Sequence, residues 1–334
     1  MAVKAAIAGL GRIASLLEED RLREKPCTHA GAIAANPALV LCAGADMDEE
    51  RRRLFAEKWG TPVYGDAETM LREQRPQILH IATHPDSHGR YCALAEQYGV
   101  SVVVCEKPLA NTLWGARKIA ALHNAGNITV ITNHERRYAA DYRRARDILL
   151  RGERLGPLCG VRGTLCAGKT RRLLDVLWHD GTHLADAAMF LTGALLKHRR
   201  SFGSGLRGRT GTAYLFGSLE APSVPAASGS LPFLLELGSD RDHLIFELEF
   251  SCERGKLRIG NGIFEVWESR ESPYAEKFKS LEKIEEGFTG KTGYFSSMVD
   301  DALSCALDKS HVPLSSATDG LRVIRYLHAI GAWR

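Results

Sequence analysis

Val102-Val103-Val104-Cys105-Glu106-Lys107-Pro108 is the stretch on which the fold turns. A run of β-formers with no polar alternation suits a strand buried on both faces of a parallel sheet. Pro108 has no N–H to give a ladder and biases Lys107 toward extended backbone, so the strand ends there. Open α/β sheets bind ligands at the carboxyl ends of their strands. Lys107 is therefore expected to project a cationic donor into a cleft, with Glu106 beside it. A lone strand-end lysine is more often a solvated side chain, so this reading depends on the rest of the chain.

Upstream, Val3-Lys4-Ala5-Ala6-Ile7-Ala8 reads as a strand running into Gly9-Leu10-Gly11-Arg12-Ile13-Ala14, a G-x-G-x-x-A loop. Glycines at this spacing permit a tight turn and let backbone approach a pyrophosphate that rests on a helix N-terminus. Such loops are common, and the context is what gives this one weight. A second strand, Leu39–Ala45, ends in Asp46. A carboxylate there accepts the adenosine ribose hydroxyls and repels a 2′-phosphate, which favours NAD, with NADP as the alternative. Asp46 also has a capping reading, since Asp48-Glu49-Glu50 open a helix, and Asp48 is the better cap. Asp46 lies well beyond the usual distance from the glycines of about 20 residues. The excess maps to Leu16–Thr28, a charged, proline-bearing insertion that interrupts the first helix, which resumes at His29–Asn36. The insertion is expected at the rim of the cofactor cleft.

Composition narrows the class. A chain of 334 residues is long for one core and predicts two domains. Hydrophobic content of 45% and charge of 25% are those of a globular protein. A net charge of +4, with no dense basic cluster, points away from nucleic acid. Eight cysteines without a C-x-x-C pair read as buried small hydrophobes in a reducing compartment. No signal-type segment precedes the first strand and no membrane-length apolar run occurs, so neither export nor a membrane partner is expected. The cytoplasm is the expected location.

Beyond Asp46, Ile78–Thr83, the Lys107 strand and Ile128–Thr132 alternate with helices at βαβ spacing, which predicts a doubly wound parallel sheet. Taken together, G-L-G-R-I at 9–13, A-T-x-P-D-x-H at 82–88, C-E-K-P-L-A at 105–110, R-R-Y at 136–138 and H-D-G-T-H-L-A-D at 179–186 resemble one family. It is the glucose–fructose oxidoreductase / inositol dehydrogenase / MocA group of NAD(P)-dependent oxidoreductases. The resemblance implies a Rossmann-like domain over 1–133, an α+β domain with a mostly antiparallel, open-faced sheet over 134–315, and a last helix, 316–334, returning to the first domain. It implies that Gly9, Gly11, Arg12, Ile13, Asp46, Thr83, Pro85, His88, Glu106 and Lys107 surround the cofactor. Pro85 and His88 would shape the loop near the nicotinamide. It further implies a small-molecule substrate and a homodimer or homotetramer formed through the second sheet.

From Gly160 onward the apolar period becomes two: Leu244, Phe246, Leu248 and Phe250 share one face. Gly260-Asn261-Gly262 reads as a hairpin turn, and the Gly, Ser, Ala and Pro of 217–232 read as a long loop. In His179-Asp180-Gly181-Thr182-His183 the spacing places His179, Asp180 and His183 near one helical face. The family's motif is Asp-x-x-x-His, whose histidine transfers a proton. Aligned on Gly181 and His183, the aspartate position holds His179 here and Asp180 is displaced by one. His183 keeps its register, and either His179 or Asp180 partners it. Capping alone is one competing reading of these histidines. A zinc site is another, because H-x-x-x-H is a metal-compatible spacing, but it lacks the metalloprotease glutamate and any third ligand beyond Asp186; no metal is expected. Arg137, Lys169 and Arg171 are candidate substrate contacts, and if they face inward they favour an acidic substrate. The expected function is hydride transfer between a nicotinamide cofactor and a polyol, sugar or related hydroxy compound. The alternative is a catalytically silent NAD(P)-binding sensor on the same fold.

Overall fold

The computed structural model describes residues 2–168, 171–204 and 210–331. They divide into two compact units, 1–139 with 291–324, and 140–290 with 325–334. The first boundary falls a few residues beyond the expected 133/134.

In the first unit the chain runs β1 (Val3–Ala8), α1 (His29–Ala35), β2 (Leu39–Ala45), α2 (Glu49–Trp59), β3 (Val63–Tyr64), α3 (Ala67–Gln74), β4 (Ile78–Ile81), α4 (His88–Gln97), β5 (Val102–Cys105), α5 (Leu113–Asn124) and β6 (Thr129–Thr132). The strands form one parallel sheet in the order β3-β2-β1-β4-β5-β6. The order reverses between β1 and β4, and a doubly wound sheet binds its ligand at that switch point. The four residues of β5 are fully buried, as their unbroken apolar run requires.

The glycine loop does not open directly into an α-helix. After Gly11 the chain makes a turn and a short 3-10 segment, Leu16–Glu19, before α1 begins at His29. The His29 and Ala30 N–H groups donate to the Ile13 and Ala14 carbonyls at 3.2 and 2.9 Å, so the helical ladder resumes as though the insertion were looped out. The insertion is tied down by carboxylates. Glu18 accepts from the Thr28 hydroxyl at 2.6 Å, Glu19 pairs with Lys58 of α2, and Glu24 accepts from the backbone N–H groups of Thr292 and Gly293 at 2.8 and 2.7 Å.

The second unit contains α6 (Ala140–Arg151), β7 (Leu158–Cys166), α7 (Leu173–His179), α8 (Gly181–Thr192), β8 (Leu195–Gly203), β9 (Thr212–Glu220), β10 (Ser230–Gly238), β11 (Ile245–Cys252), β12 (Gly255–Gly260), β13 (Ile263–Glu271) and β14 (Lys279–Glu286). Its eight strands lie in the order β14-β13-β12-β11-β7-β10-β9-β8, and β7 with β10 is the parallel pair. Phe246, Leu248 and Phe250 are buried on one face as expected, but Leu244 precedes the strand and is exposed. Asn261-Gly262 turns β12 into β13. Gly163 at the centre of β7 admits α8: a Cβ there would lie 3.0 Å from Leu184 Cδ2. Of the expected loop over 217–232, both ends are strand, because β9 and β10 pair through Gly217↔Phe233 and Glu220↔Ser230, and 221–229 form the connection. Small residues there serve close strand packing rather than flexibility; a Cβ on Gly217 would collide with the Lys197 carbonyl.

Two helices complete the chain, α9 (Tyr294–Leu307) and α10 (Ala317–Gly331). The expected division assigned 291–315 to the second domain, but α9 belongs to the first unit. Phe295, Met298, Val299, Ala302 and Cys305 share a core with Val102 and Val104, and that apolar stripe fixes its place. Ser315 and Ser316 then cover the edge of β6, the Ser315 carbonyl accepting from Thr132 N at 2.9 Å.

Candidate functional site

At the switch point the backbone is drawn in tightly. Gly9 has φ +87, and a Cβ on it would lie 2.8 Å from the Ala82 carbonyl and Thr83 Cγ2. Only glycine fits there. At Gly11 a Cβ would meet nothing nearer than Arg51 Nη1 at 3.8 Å, so the backbone there is open to a ligand. The Asp46 carboxylate faces the loop from the end of β2, Oδ2 accepting from Leu10 N at 2.8 Å and Oδ1 from Asp48 N at 3.0 Å. Asp48 caps α2, accepting from Arg51 N at 3.1 Å, so the cap is made by Asp48 and not by Asp46. Arg51 Nη1 stands 3.6 Å from Asp46 with its side chain half exposed, placing a cation beside the carboxylate. Arg52 is turned back onto the Asp46 and Met47 carbonyls. Arg12 is exposed and Ile13 half-buried behind the loop. These residues fit a dinucleotide: a close-approach turn, open backbone at Gly11 and a carboxylate at the end of β2.

The loops after β4 and β5 are joined by His88. Its ring is buried, with Nε2 3.1 Å from the Thr83 carbonyl and Nδ1 3.2 Å from that of Leu109. Burial holds its pKa below the usual value against both carbonyls, so the neutral ring donates to one of them at a time. Thr83 bonds Ser87 through its hydroxyl at 2.7 Å. Pro85 lines a cavity of about 760 Å³ between α4 and α5, together with Trp114 and Lys118.

Glu106 is buried at the end of β5, and three groups hold its carboxylate: His29 Nε2 at 2.9 Å, Asn133 Nδ2 at 2.6 Å and the Lys107 N–H at 3.3 Å. Burial raises its pKa, but His29, the Lys107 charge and Asn133 outweigh that and hold it below the usual carboxylate value. Behind His29 stands His80, ring nitrogen to ring nitrogen at 2.9 Å. His80 is fully buried, and burial together with its neighbour His29 pushes its pKa well down. Neither His29 nor His80 was singled out from the sequence. The partners lie 51 and 77 positions apart, and His29 follows an insertion, so no local spacing marks them.

A stability prediction follows from these depressed values. A histidine kept neutral in the fold but protonated when unfolded contributes stability above about pH 6.5, which is lost as pH falls toward the folded value. Below about pH 6.5 the protein should lose stability at up to about 1.4 kcal/mol per pH unit for each such histidine. Melting temperatures across this range should fall less steeply in His80→Asn, whose amide still donates toward His29. An unchanged slope would show that His80 does not titrate as described.

In the second unit the histidine motif is broken. α7 ends at His179 and α8 starts at Gly181, with Asp180 as the joint; the Asp180 N–H closes α7 on Val176 and its carbonyl accepts from His183 N at 3.1 Å. The helix is therefore interrupted at Asp180, which itself keeps right-handed helical backbone (φ -101, ψ -30). α8 is buried along almost its whole length, while the His179 side chain at the end of α7 is 65% exposed. The Asp180 carboxylate takes His179 Nδ1 at 2.9 Å and Arg171 on its other oxygen. Burial pushes its pKa up, but His179 and Arg171 hold it below the usual value. His183 is half-buried in the first turn of α8, and Asp186 is buried one turn on. Lys169 lies outside the described residues. Arg137, in the first unit, is buried, with Nη1 donating to the Leu314 carbonyl at 3.0 Å and lying 3.2 Å from Asp319.

The first unit is a doubly wound dinucleotide-binding domain with a glycine-loop crevice and an E-K-P strand end. Residues 3–134 match the Gfo/Idh/MocA family model, described as an oxidoreductase family with an NAD-binding Rossmann fold. A stretch of 90 residues, 26% of the chain, is 39% identical to D-apiose dehydrogenase from Paraburkholderia graminis and spans only 23% of that protein. Over 99% of this chain and 96% of the other, the fold resembles scyllo-inositol dehydrogenase from Lactobacillus casei (TM-score 0.74, 17% identity). An oxidoreductase domain protein from Kribbella flavida is similar over 100% and 97% of the two chains (TM-score 0.77, 20% identity).

Proposed function

We propose that the protein is an NAD-dependent dehydrogenase or reductase that acts on the CH–OH group of a polyol, sugar or related hydroxy compound. The observation that carries this reading is Lys107 at the carboxyl end of β5, next to a buried, ionised Glu106. The dinucleotide, when bound, exchanges the hydride. Gly9, Gly11, Arg12 and Ile13 line its pyrophosphate, Asp46 takes the ribose hydroxyls, and the Thr83–His88 loop borders the nicotinamide. Lys107 donates a hydrogen bond to the substrate hydroxyl oxygen and stabilises the alkoxide as hydride leaves carbon. His183 accepts the proton, with Asp180 or His179 as its partner. Arg171 and Arg137 are retained as substrate contacts. A sugar dehydrogenase and a polyol dehydrogenase among the similar proteins support this substrate class.

The cofactor preference tests the site. Purified protein should use NAD more efficiently than NADP, and Asp46→Ser should lower that ratio by about 10- to 100-fold, the loss expected for charge-assisted hydrogen bonds. A wild type that prefers NADP would overturn the assignment and make the Arg51 guanidinium the holder of a 2′-phosphate.

The open face of the second sheet is the surface that a second copy covers in this reading. Phe202, Tyr214 and Phe216 are 58%, 40% and 41% exposed there, more aromatic surface than a lone sheet face needs to show. Sedimentation should give a dimer or tetramer, and Phe216→Glu should shift it toward monomer. A monomeric wild type removes the assignment. The eight cysteines are free thiols and most are buried, so we place the protein in the reducing cytoplasm, which cell fractionation checks.

A further inference from the structure

The cavity between α4 and α5 has no part in the proposed reaction. The two helices follow neighbouring parallel strands and pack side by side, yet a space of about 760 Å³ opens between them. Small side chains keep it open. α4 presents Gly89 and Ala93, four apart on one face, and the far end of α5 presents Ala121 and Ala125. A Cβ on Gly89 would meet nothing within 4 Å, and its backbone is not in the left-handed region that favours glycine. Glycine inside a helix is destabilising relative to alanine, and here neither packing nor backbone angle requires it. Its effect is to leave room. Gly115 of α5 differs, because a Cβ there would press on Ala110 Cβ at 3.1 Å.

The lining is apolar with one-sided charge. Ala110 and Ile119 are buried beneath the cavity and Leu122 is half-buried. Trp114 lines it with 66% of its surface exposed, and Lys118 Nζ lies 3.6 Å from the centre of the indole ring. Two cations, Arg90 from α4 and Lys118 from α5, face it together with a single carboxylate, Asp86. Neither cation is paired with a carboxylate among the described residues. The volume lies within the range of about 300–1,000 Å³ that small-molecule sites occupy. Apolar lining with a few convergent polar groups is the usual composition of such sites, and a net positive charge selects an anion.

We propose that this groove is a second small-molecule site, which takes an amphipathic organic anion. The acyl or aryl body of the ligand covers Ile119 and Leu122 beside Trp114, and its acid group meets Arg90 and Lys118. The inference does not depend on the proposed reaction, since Pro85 is the one lining residue with a role in it.

The probe for the test is anilinonaphthalene sulfonate, an aryl body with one sulfonate. It is titrated by fluorescence onto the full-length protein in excess NAD, which keeps it out of the dinucleotide crevice. Binding should saturate at one probe per chain. Gly89→Leu fills the space without crowding a neighbour, and Ala93→Trp fills it from an exposed position. Each should weaken the probe by about tenfold or more through lost apolar contact, with an unchanged circular dichroism spectrum. The double variant Arg90→Glu, Lys118→Glu should weaken it by about tenfold or more through lost charge-assisted contacts. Dodecanoate should displace the probe, and dodecanol should need about tenfold higher concentration.

Absence of saturable binding, or binding unchanged in both Gly89→Leu and Ala93→Trp, would overturn the proposal. Full affinity after charge reversal, or equal displacement by dodecanol, would overturn the assignment of an anion. Sedimentation of the same variants without probe tests for a protein in the groove. An oligomer that dissociates in Ala93→Trp would show that a second copy fills it, and would overturn the small-molecule site.

Discussion

Replacing Lys107 with methionine should reduce turnover by about 10²–10³, the cost of losing one preorganised donor to a developing oxyanion. Methionine keeps the length and apolar stem of lysine, so β5 and its packing should survive. Affinity for the dinucleotide should barely change, because the glycine loop and Asp46, proposed to hold the adenosine half, lie at the ends of other strands. A loss confined to kcat marks an interaction made in the transition state, whereas a rise in KM alone would mark simple substrate binding. Near-normal turnover in Lys107→Met would remove the residue from the mechanism.

The second large effect is expected at His183. His183→Ala should reduce turnover by about 10²–10⁴, the range of a positioned acid–base group. The wild-type oxidation rate should rise with pH as this imidazole loses its proton and becomes able to accept one, and that ionisation should vanish from the His183→Ala profile. Asp180 is held as a carboxylate by His179 and Arg171. If it partners His183, Asp180→Asn should displace the same ionisation without abolishing it. A pH profile that is unchanged in His183→Ala would assign the proton to another group.

Much of this was legible in the sequence. The VVVCEKP run announces a buried parallel strand with a forced end, and the structure shows β5 ending there with all four strand residues fully buried. The interrupted first helix was also readable, since the charged stretch before His29 breaks an apolar pattern that then resumes. What escaped depends on contacts distant in sequence or on one backbone angle. The interruption at Asp180 separates two helices within a pattern whose spacing is helical throughout. Residues 217–232 have a loop-like composition, and strand pairing takes only its two ends, where small side chains let strands approach closely. α9 was assigned to the wrong unit because an amphipathic stripe does not say which sheet it covers. The His80–His29–Glu106 chain joins three separate elements of the first unit, and only the folded sheet brings them together.

The central claim is that this protein carries out hydride exchange with a nicotinamide cofactor. It is tested most directly by incubating the purified chain with NAD and a panel of polyols, sugars and sugar acids while following the absorbance of the reduced nicotinamide. Reduction of NAD by at least one secondary alcohol, depressed by about 10²–10³ in Lys107→Met, is the predicted result. Tight dinucleotide binding without turnover on any member of the panel in either direction would contradict it and identify the protein as a sensor of the cofactor.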